Sequence, residues 1–345
     1  MVRRQAISAI AAFGAVVGAY TAARWWVSRM REEAAAHAIL PETLPATCQH
    51  TVRGPNDTLI AAYDTSAPRD GVPQIVFVHG WMGSHHIWDW VIRPLYGDAR
   101  MVTFDLPFHG QSGAPQPEGI DLDFFGDALH SVINELVPSG PIVLVGHSLG
   151  GMVILNALRR HGAVLASRLS ATVLISTAAS FSDTPTALVN YVRPVFASAK
   201  NVFRSGIAGV AGRLVSSAVR RDTDMVWLFA RSIQGRHAQP AITYGIVQTM
   251  RAAHPKALAA VAPAVLTLHE RDGLTVAASR PLCLIGGSDD WLTPASVTHA
   301  LAAQSGAEVV MFDEVGHVAP KEVADQVAAV IGRYVGIRSQ PQASP

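Results

Sequence analysis

Short apolar runs alternate with amphipathic stretches along most of the chain. The runs lie at 74–78, 100–105, 141–145, 171–176, 281–285 and 308–312, and helical patterns at 123–136 and 152–160 separate some of them. Several runs are apolar almost throughout, as in strands covered on both faces. This alternation predicts an α/β fold with a mostly parallel central sheet flanked by helices.

One long interval lacks any strand pattern. It carries two apolar helix faces, with positions three, four or seven residues apart: Ile207, Val210, Leu214 and Ala218, then Ile242, Ile246, Val247 and Met250. Pro240 suits the first turn of the second helix. We interpret residues 183–278 as an all-helical cap inserted into a core of residues 45–182 and 279–338. Its place between two strands favours a lid over a site, with extra core helices as the alternative.

The N-terminus differs from the rest of the chain. Residues 5–23 carry no charge, arginines flank them on both sides, and the pair Trp25 and Trp26 follows. At about 1.5 Å per helical residue this run approaches the thickness of a hydrocarbon core, and the tryptophans suit the membrane interface. We interpret residues 1–34 as a hydrophobic helix that anchors the protein to a membrane. A signal segment cleaved near 21–23, giving a secreted protein, and an interface-lying helix remain open, and so does the side of the membrane.

Composition narrows the class of protein. The 345 residues are 49% hydrophobic and 15% charged with a net charge of +1, so a large core is expected and nucleic acid is not expected as a partner. At roughly 100–200 residues per domain the length suggests about two structural units. The two cysteines, Cys48 and Cys283, provide neither a disulfide framework nor a cysteine metal site. The sequence leaves open whether they pair. The last residues, 339–345, are expected to be disordered.

A serine motif stands between a predicted strand and a predicted helix. Residues 146–150 read GHSLG and follow the run 141–145. A serine at such a corner is held on a strained turn with its hydroxyl exposed, and glycines are required where backbone segments approach closely. We therefore predict that Ser148 is a nucleophile. The alternative is a glycine-rich turn with an ordinary serine.

A second motif, VHGWMG at 78–83, follows an early predicted strand. With these two motifs the chain resembles the α/β-hydrolase superfamily, over residues 50–180 and 279–335. The resemblance implies that the backbone N–H groups of Trp81 and Leu149 form an oxyanion hole. Two such donors would stabilise the negative oxygen that develops during acyl transfer.

Two later segments extend the resemblance. The segment 285–294, IGGSDDWLTP, resembles the strand-end motif that carries the acid of related hydrolases, and the match assigns that role to Asp290 with Asp289 as the alternative. His317, in the sequence VGHV, completes the order Ser…Asp…His of this fold. By this resemblance His317 is the base for Ser148, and the aspartate orients the imidazole.

A fourth segment, 105–112, also resembles the family but departs from it at one position. Phe108 stands where a glycine is frequent, which predicts a different pocket wall. Asp105 and His109 are expected to fix a loop beside the site. His79 is expected to stabilise a turn rather than to act as a base.

These motifs predict a serine hydrolase of carboxylic ester or related acyl compounds that works through an acyl-serine intermediate. No cofactor or metal is expected, and the substrate is expected to be a small, apolar acyl molecule. The same residues could support thioesterase, lactonase, acyltransferase or perhydrolase (haloperoxidase-like) chemistry, or the hydrolysis of a carbon–carbon bond, because one fold hosts many reactions. Haloalkane and epoxide hydrolysis are disfavoured, since the family route for them uses an aspartate at position 148. A membrane-tethered binding protein without catalysis is the alternative from another class.

Overall fold

The structure is a computed structural model of the chain. It describes residues 21–34, 48–65, 69–115, 120–180, 223–254, 256–257, 261, 264–265 and 267–337. Three predictions fall outside these residues: most of the membrane anchor, the helix face at 207–218 and the disordered tail.

An eight-stranded sheet forms the centre of the molecule, in the order β1-β2-β4-β3-β5-β6-β7-β8. Only β2 runs opposite to the others. The strands are β1 (Cys48–Arg53), β2 (Leu59–Asp64), β3 (Gln74–Val78), β4 (Met101–Phe104), β5 (Ile142–His147), β6 (Leu169–Ile175), β7 (Leu282–Gly287) and β8 (Glu308–Phe312). The mostly parallel sheet predicted from the six apolar runs is confirmed.

The sequence pattern missed β1 and β2. Strand β1 lies at the sheet edge and buries only Val52, so it lacks the apolar run that marks a central strand. Strand β2 is buried from Ile60 onwards but contains Ala61 and Ala62, and alanine is depleted in strands.

Ten α-helices of at least four consecutive described residues accompany the sheet. They are α1 (21–34), α2 (Asp89–Ile92), α3 (Leu122–Leu136), α4 (Leu149–Arg168), α5 (Asp224–Ser232), α6 (Pro240–Ala252), α7 (Arg271–Ala277), α8 (Ala295–Ser305), α9 (Ala319–Glu322) and α10 (Ala324–Tyr334). The predicted helix on the second apolar face is confirmed as α6, with Pro240 at its first turn. Short 3-10 turns lie at Pro55–Asp57, His85–Trp88 and Arg93–Leu95.

The alternation of side chains along the strands builds two cores. On β3, Val76 and Val78 pack with α3, α4, α7 and α8, whereas Ile75 and Phe77 pack with α2 and α10 on the opposite face. Successive strand residues point to opposite faces, so a strand covered on both sides must be apolar throughout. This explains why the central strands were readable from the sequence.

The helical interval between β6 and β7 divides in two. Helices α5 and α6 pack with α1, whereas α7 packs against the core helix α4. A Cβ added at Gly273 would lie 1.9 Å from the carbonyl oxygen of Leu155, which shows how closely α7 approaches α4. The end of the interval predicted as cap therefore lies with the core helices in space. In the described part of this interval, the strand-like pairing is a single bridge between Ser180 and His269.

Helix α1 packs onto α5 and α6 through its apolar face. Val27, Met30 and Ala34 are buried there against residues that include Val226 and Trp227. Their spacing of three and four residues places them on one side of the helix. Of the helices that the structure describes, none is both long and apolar enough to cross a bilayer.

The two cysteines are far apart and free. Cys48 is exposed on β1, and Cys283 is buried on β7. Six strand spacings separate β1 from β7 in the sheet order, which at about 4.8 Å each is roughly 29 Å. A disulfide requires Cα atoms within about 7 Å, so the pairing left open by the sequence is excluded in this fold.

Candidate active site

The residues predicted for catalysis lie at one edge of the sheet. Ser148 directly follows β5, Asp290 lies three residues after β7, and His317 lies five residues after β8. The carboxyl ends of parallel strands meet at a common edge, and ligands of open α/β sheets bind there. The fold therefore brings together three residues that are far apart in the chain.

The backbone at this edge is strained. All seven non-glycine residues with positive φ in the described part of the chain lie within four residues after a strand end, and five of them follow β3, β4, β5, β6 and β8: Met82, Phe108, Ser148, Ser176 and Glu314. Ser148 has φ 51° and ψ −119°, and its N–H donates to the Ile175 carbonyl at 2.9 Å. Such conformations cost energy, and they cluster at functional sites.

The glycines around Ser148 are required by close backbone contacts. A Cβ added at Gly146 would lie 2.7 Å from the carbonyl carbon of Gly150, and one added at Gly150 would lie 2.0 Å from the Val78 carbonyl oxygen. No side chain fits at such distances without a backbone shift. The predicted steric role of both glycines is confirmed.

A first prediction concerns this contact. Gly150→Ala should lower the free energy of unfolding by about 3 kcal/mol or more, because β3 and α4 must separate to admit the methyl group. Gly162→Ala on the same helix is the matched control: its Cβ would meet Val276 at an ordinary 3.5 Å. That control should be neutral or stabilising by up to about 1 kcal/mol. Urea unfolding measures both, and equal stability of the two variants would contradict the prediction.

The three predicted residues form one hydrogen-bonded array. His317 Nε2 lies 3.0 Å from Ser148 Oγ, and His317 Nδ1 lies 2.9 Å from Asp290 Oδ2. Because the carboxylate accepts, Nδ1 carries the proton and Nε2 is free to accept from the serine hydroxyl. Asp290 and His317 are both buried. The array can move a proton from Ser148 to His317.

Asp290 is held as an ionised acceptor. The N–H groups of Leu292 and Thr293 each donate to Oδ1 at 2.9 Å, and the Thr293 hydroxyl donates to Oδ2 at 2.6 Å. Burial by itself would raise the pKa of Asp290, but His317 and these donors outweigh it and lower that pKa. The aspartate can therefore stabilise an imidazolium without taking its proton.

The neighbouring aspartate is turned to the surface. Asp289 accepts from the Arg236 N–H and Nε at 3.0 Å and from its Nη2 at 2.7 Å. It makes no hydrogen bond to His317 within the described part of the chain. The structure thus places Asp290 beside the histidine and leaves Asp289 in an ion pair.

The segment after β3 passes directly beside Ser148. A Cβ added at Gly80 would lie 3.1 Å from the Ser148 Cβ. Among the described residues, neither the Trp81 N–H nor the Leu149 N–H has a hydrogen-bond acceptor. Two unused donors next to a serine hydroxyl are what an oxyanion hole requires, although their role stays a prediction.

Two buried histidines fix this segment to the next loop. His79 donates from Nδ1 to the Gly80 carbonyl at 2.7 Å and accepts the Leu106 N–H at 2.9 Å. His109 accepts the Met82 N–H at 3.2 Å and donates from Nδ1 to the Pro107 carbonyl at 2.9 Å. The predicted turn-stabilising role of His79 and loop-fixing role of His109 agree with these contacts.

Asp105 and Phe108 complete the loop. Asp105 accepts from the His85 N–H at 2.8 Å and the Gln111 N–H at 2.9 Å, as expected for a structural carboxylate. Phe108 has φ 69° and is fully buried, and its carbonyl accepts the His254 N–H at 3.2 Å. Its ring lies outside the cavity wall, whereas His254 is part of that wall. Phe108, which departs from the family pattern, therefore contacts the pocket wall through His254 rather than forming that wall itself.

The buried histidines predict acid sensitivity of the fold. Burial disfavours the imidazolium and lowers the pKa of His79 to about 3, that of His109 to about 4 and that of His147 to about 3. In the unfolded chain their pKa is about 6.5, so between about pH 6.5 and 4 the unfolded state binds more protons. The free energy of unfolding should fall in that window as the pH decreases, by up to about 1.4 kcal/mol per pH unit for each histidine.

Urea unfolding between pH 8 and 4.5 measures this loss. His86 acts in the opposite direction because its hydrogen bond to Asp89 raises its pKa, but its exposed side chain makes that contribution small. A free energy of unfolding that is constant from pH 7 to 5 would contradict the prediction.

Sequence reasoning missed three residues that support the array. His147 donates from Nε2 to the His317 carbonyl at 2.8 Å, and Thr293 anchors Asp290. Glu322 accepts from the Gly316 N–H at 3.2 Å and the Gly235 N–H at 2.7 Å, which joins the His317 loop to the helical interval. The signal in the sequence that could have indicated them was closeness along the chain, since each lies within five residues of a predicted site residue.

An apolar cavity of about 450 Å³ opens beside the array. Ser148 and His317 line it together with mainly apolar side chains, which include Met82, Val226, Phe229, Ile246, Leu292 and Val318. In the described part of its wall the formally charged side chain is Lys321, which donates to the His86 carbonyl at 2.5 Å. The volume and lining are typical of a pocket for a small organic molecule. Among the described residues, no group of three or more His, Cys, Asp or Glu is arranged to hold a metal ion.

Comparison with known proteins agrees with the fold. A sequence profile described as the alpha/beta hydrolase fold matches residues 73–322, which is more than half of the chain. The chain belongs to the alpha/beta hydrolase fold family. The matched range contains the array, the segment after β3 and helices α5 and α6.

Relatives of this alpha/beta hydrolase carry different names. A pimeloyl-[acyl-carrier protein] methyl ester esterase of Neisseria meningitidis is 25% identical over 274 residues, covering 79% of this chain and 80% of the relative. A Mycobacterium tuberculosis protein named probable oxidoreductase EphD is 37% identical over 123 residues, covering 35% of this chain and 20% of that protein. The chain therefore spans only about a fifth of the mycobacterial relative.

Solved structures support the fold assignment. A thermophilic esterase from Thermogutta terrifontis superposes with a TM-score of 0.66 at 22% identity, covering 84% of this chain and 98% of the esterase. A Burkholderia cenocepacia structure described as an aryl esterase gives a TM-score of 0.64, also at 22% identity, with the same coverage. At this identity the likeness shows the fold alone.

Proposed function

We propose that this alpha/beta hydrolase cleaves a carboxylic ester or a related acyl compound through an acyl-serine intermediate on Ser148. The observation that carries the proposal is the continuous array from Ser148 Oγ through His317 to Asp290, with spacings of 3.0 and 2.9 Å. Nucleophile, base and orienting acid within hydrogen-bond reach are the signature of covalent catalysis by serine.

In the proposed reaction, His317 carries each proton between Ser148, the leaving group and water. His317 Nε2 accepts the Ser148 hydroxyl proton as Oγ attacks the acyl carbonyl carbon. The N–H groups of Trp81 and Leu149 then donate to the developing oxyanion. His317 returns the proton to the leaving alkoxide, which leaves an acyl group on Ser148. A water molecule, deprotonated by His317, then attacks the acyl-serine. His317 returns that proton to Ser148 Oγ as the bond from Oγ to the acyl carbon breaks, which releases the acid and restores the array.

The cavity supports an apolar acyl group as the substrate class. Its described wall carries no acidic side chain and no arginine, and the lysine that lines it already donates to a backbone carbonyl. Burial lowers the pKa of Lys321, which reflects how poorly this region solvates charge. A neutral ester with an apolar chain would bind there without leaving a buried charge unpaired.

Esterase-named proteins among the relatives and structural neighbours are consistent with this proposal. Acyltransferase or perhydrolase chemistry at the same residues would share the acyl-serine step and differ in the second nucleophile. A binding protein of this fold would form no acyl-serine at all. The experiment should therefore first detect a covalent adduct on the serine and then identify the product.

Covalent trapping of the purified protein tests the proposal. A fluorophosphonate should add once per chain, and peptide mapping should place the adduct on Ser148. A short-chain nitrophenyl ester should then be hydrolysed, with competing alcohol and hydrogen peroxide separating hydrolase from acyltransferase and perhydrolase activity. A folded protein that neither takes the label nor turns over the ester would sink the proposal and favour the binding protein.

A further inference from the structure

Four large apolar side chains are exposed on helices α1 and α5. Trp25 is 66% exposed and Trp26 39% exposed on α1, and Met225 is 72% exposed and Phe229 42% exposed on α5. We call these four residues the apolar rim. Single exposed apolar residues are ordinary, whereas a group of them marks an interaction site.

The two halves of the rim are held together by ion pairs. Arg24 Nε lies 3.3 Å from Asp224 Oδ2, and Arg31 Nη1 lies 2.9 Å from the other oxygen of Asp224. Arg24 precedes Trp25 and Asp224 precedes Met225, so the contact holds this part of α1 beside the start of α5. Phe229 follows Met225 by four residues and therefore shares its helix face. The two arginines and the one aspartate leave a single net positive charge beside the rim.

The rim adjoins the mouth of the cavity beside Ser148. Met225 and Phe229 both line that cavity and are largely exposed, so the cavity meets solvent where they stand. The lining residues close to the array, such as His147 and His317, are buried. An apolar ligand that passes Met225 and Phe229 would thus enter the cavity that Ser148 lines.

We propose that the apolar rim inserts into the interface of a lipid bilayer and that the cavity takes its acyl substrate from that bilayer. Tryptophan beside arginine is the side-chain pair typical of the headgroup region, and α1 continues in sequence from the uncharged residues 5–23. This inference rests on the proposed function, since it names where the substrate of that same site is dissolved. Because only one net charge remains beside four exposed apolar side chains, we expect the attraction to be mainly apolar.

Insertion of the rim can be measured without any activity. The full chain carrying Cys48→Ser and Met225→Cys is labelled at position 225 with an environment-sensitive fluorophore, while Cys283 stays buried. Adding phosphatidylcholine vesicles should shift its emission to the blue, equally at low and high salt. The matched control is Val164→Cys in the same background, 55% exposed on α4, whose label should not respond.

The other outcomes of this experiment overturn the proposal. An unchanged label at 225 on protein that floats with the vesicles would mean that the rim faces water. A blue shift that depends on protein concentration without vesicles, with a doubled size in solution, would mean that a second copy covers the rim. Equal responses at 225 and 164 would mean non-specific adsorption.

The substrate route is tested with the double variant Trp25→Ser, Trp26→Ser, which changes no residue of the cavity wall. Hydrolysis of a short soluble ester should stay within about twofold of wild type, as for ordinary surface substitutions. Hydrolysis of a long-chain ester embedded in vesicles should fall about tenfold or more, because two tryptophans supply much of the inserted apolar area. Leu59→Ser, at an exposed apolar residue of β2 outside the rim, is the control for both assays.

Failure of this inference differs from failure of the proposed function. Equal losses on the soluble and the embedded ester, or no loss on either, would overturn the membrane route while leaving ester hydrolysis in place. A wild-type protein inactive on both esters would remove the proposed function, and the fluorophore at position 225 would still report whether the rim inserts.

Discussion

Replacing Ser148 by alanine should lower the turnover of any accepted ester by about 10⁶-fold, as removal of the nucleophile does in a serine protease. The substitution deletes the oxygen that lies 3.0 Å from His317 Nε2, so neither attack nor acyl-serine formation remains. Residual hydrolysis would come from binding and the two backbone donors alone. Steady-state kinetics and fluorophosphonate labelling of the same preparations measure the loss.

Ser167→Ala is the matched control for this substitution. Ser167 lies on the same helix, and its hydroxyl donates to the Val164 carbonyl away from the site. Labelling and turnover of this variant should equal those of the wild type. If the Ser148→Ala protein kept its turnover, hydrolysis would proceed through another group and the array would have no covalent role.

Asp290→Asn should reduce turnover by about 10⁴-fold while leaving the fold intact, the size of effect seen for the equivalent change in a serine protease. An amide can donate to His317 Nδ1, which would place the imidazole proton on Nε2 and prevent it from accepting from Ser148. The amide also removes the charge that stabilises the imidazolium. The expected sign is therefore a large fall in kcat with little change in KM.

The adjacent residue provides a sharp control for this prediction. Asp289→Asn weakens an exposed ion pair with Arg236, and such pairs contribute about 0–1 kcal/mol, so stability and turnover should change little. A large loss in the Asp289 variant together with an active Asp290 variant would reverse the assignment. Thermal unfolding of both proteins shows whether either loss is one of folding.

Membership in the alpha/beta hydrolase fold family leaves the reaction to be settled by experiment. One fold hosts many activities, and the relatives and neighbours reported above are named as esterases and as an oxidoreductase. The features of this chain that bear on the reaction are local: a buried array, an apolar cavity and exposed apolar side chains at its mouth. They support the apolar substrate class proposed above.

Much of the fold was accessible from the sequence because its signals are local. Central strands such as β3 and β5 are apolar on both faces, and that continuous run needs no tertiary information. Strand β1 was missed for the opposite reason: an edge strand with one buried residue has no such run. The packing of α7 on α4 was also missed, because the apolar face of a helix shows that the helix is packed but not which element it packs against.

The sequence by itself determined the six strands with apolar runs, the serine motif and the candidate partners of Ser148, because these signals are runs and motifs of neighbouring residues. Only the tertiary structure decided which aspartate faces His317, since Asp289 and Asp290 are adjacent and chemically identical and differ only in what surrounds them. It also showed the support from His147 and the position of the rim at the cavity mouth. These depend on contacts between residues that are distant in sequence, which only the packed chain brings together.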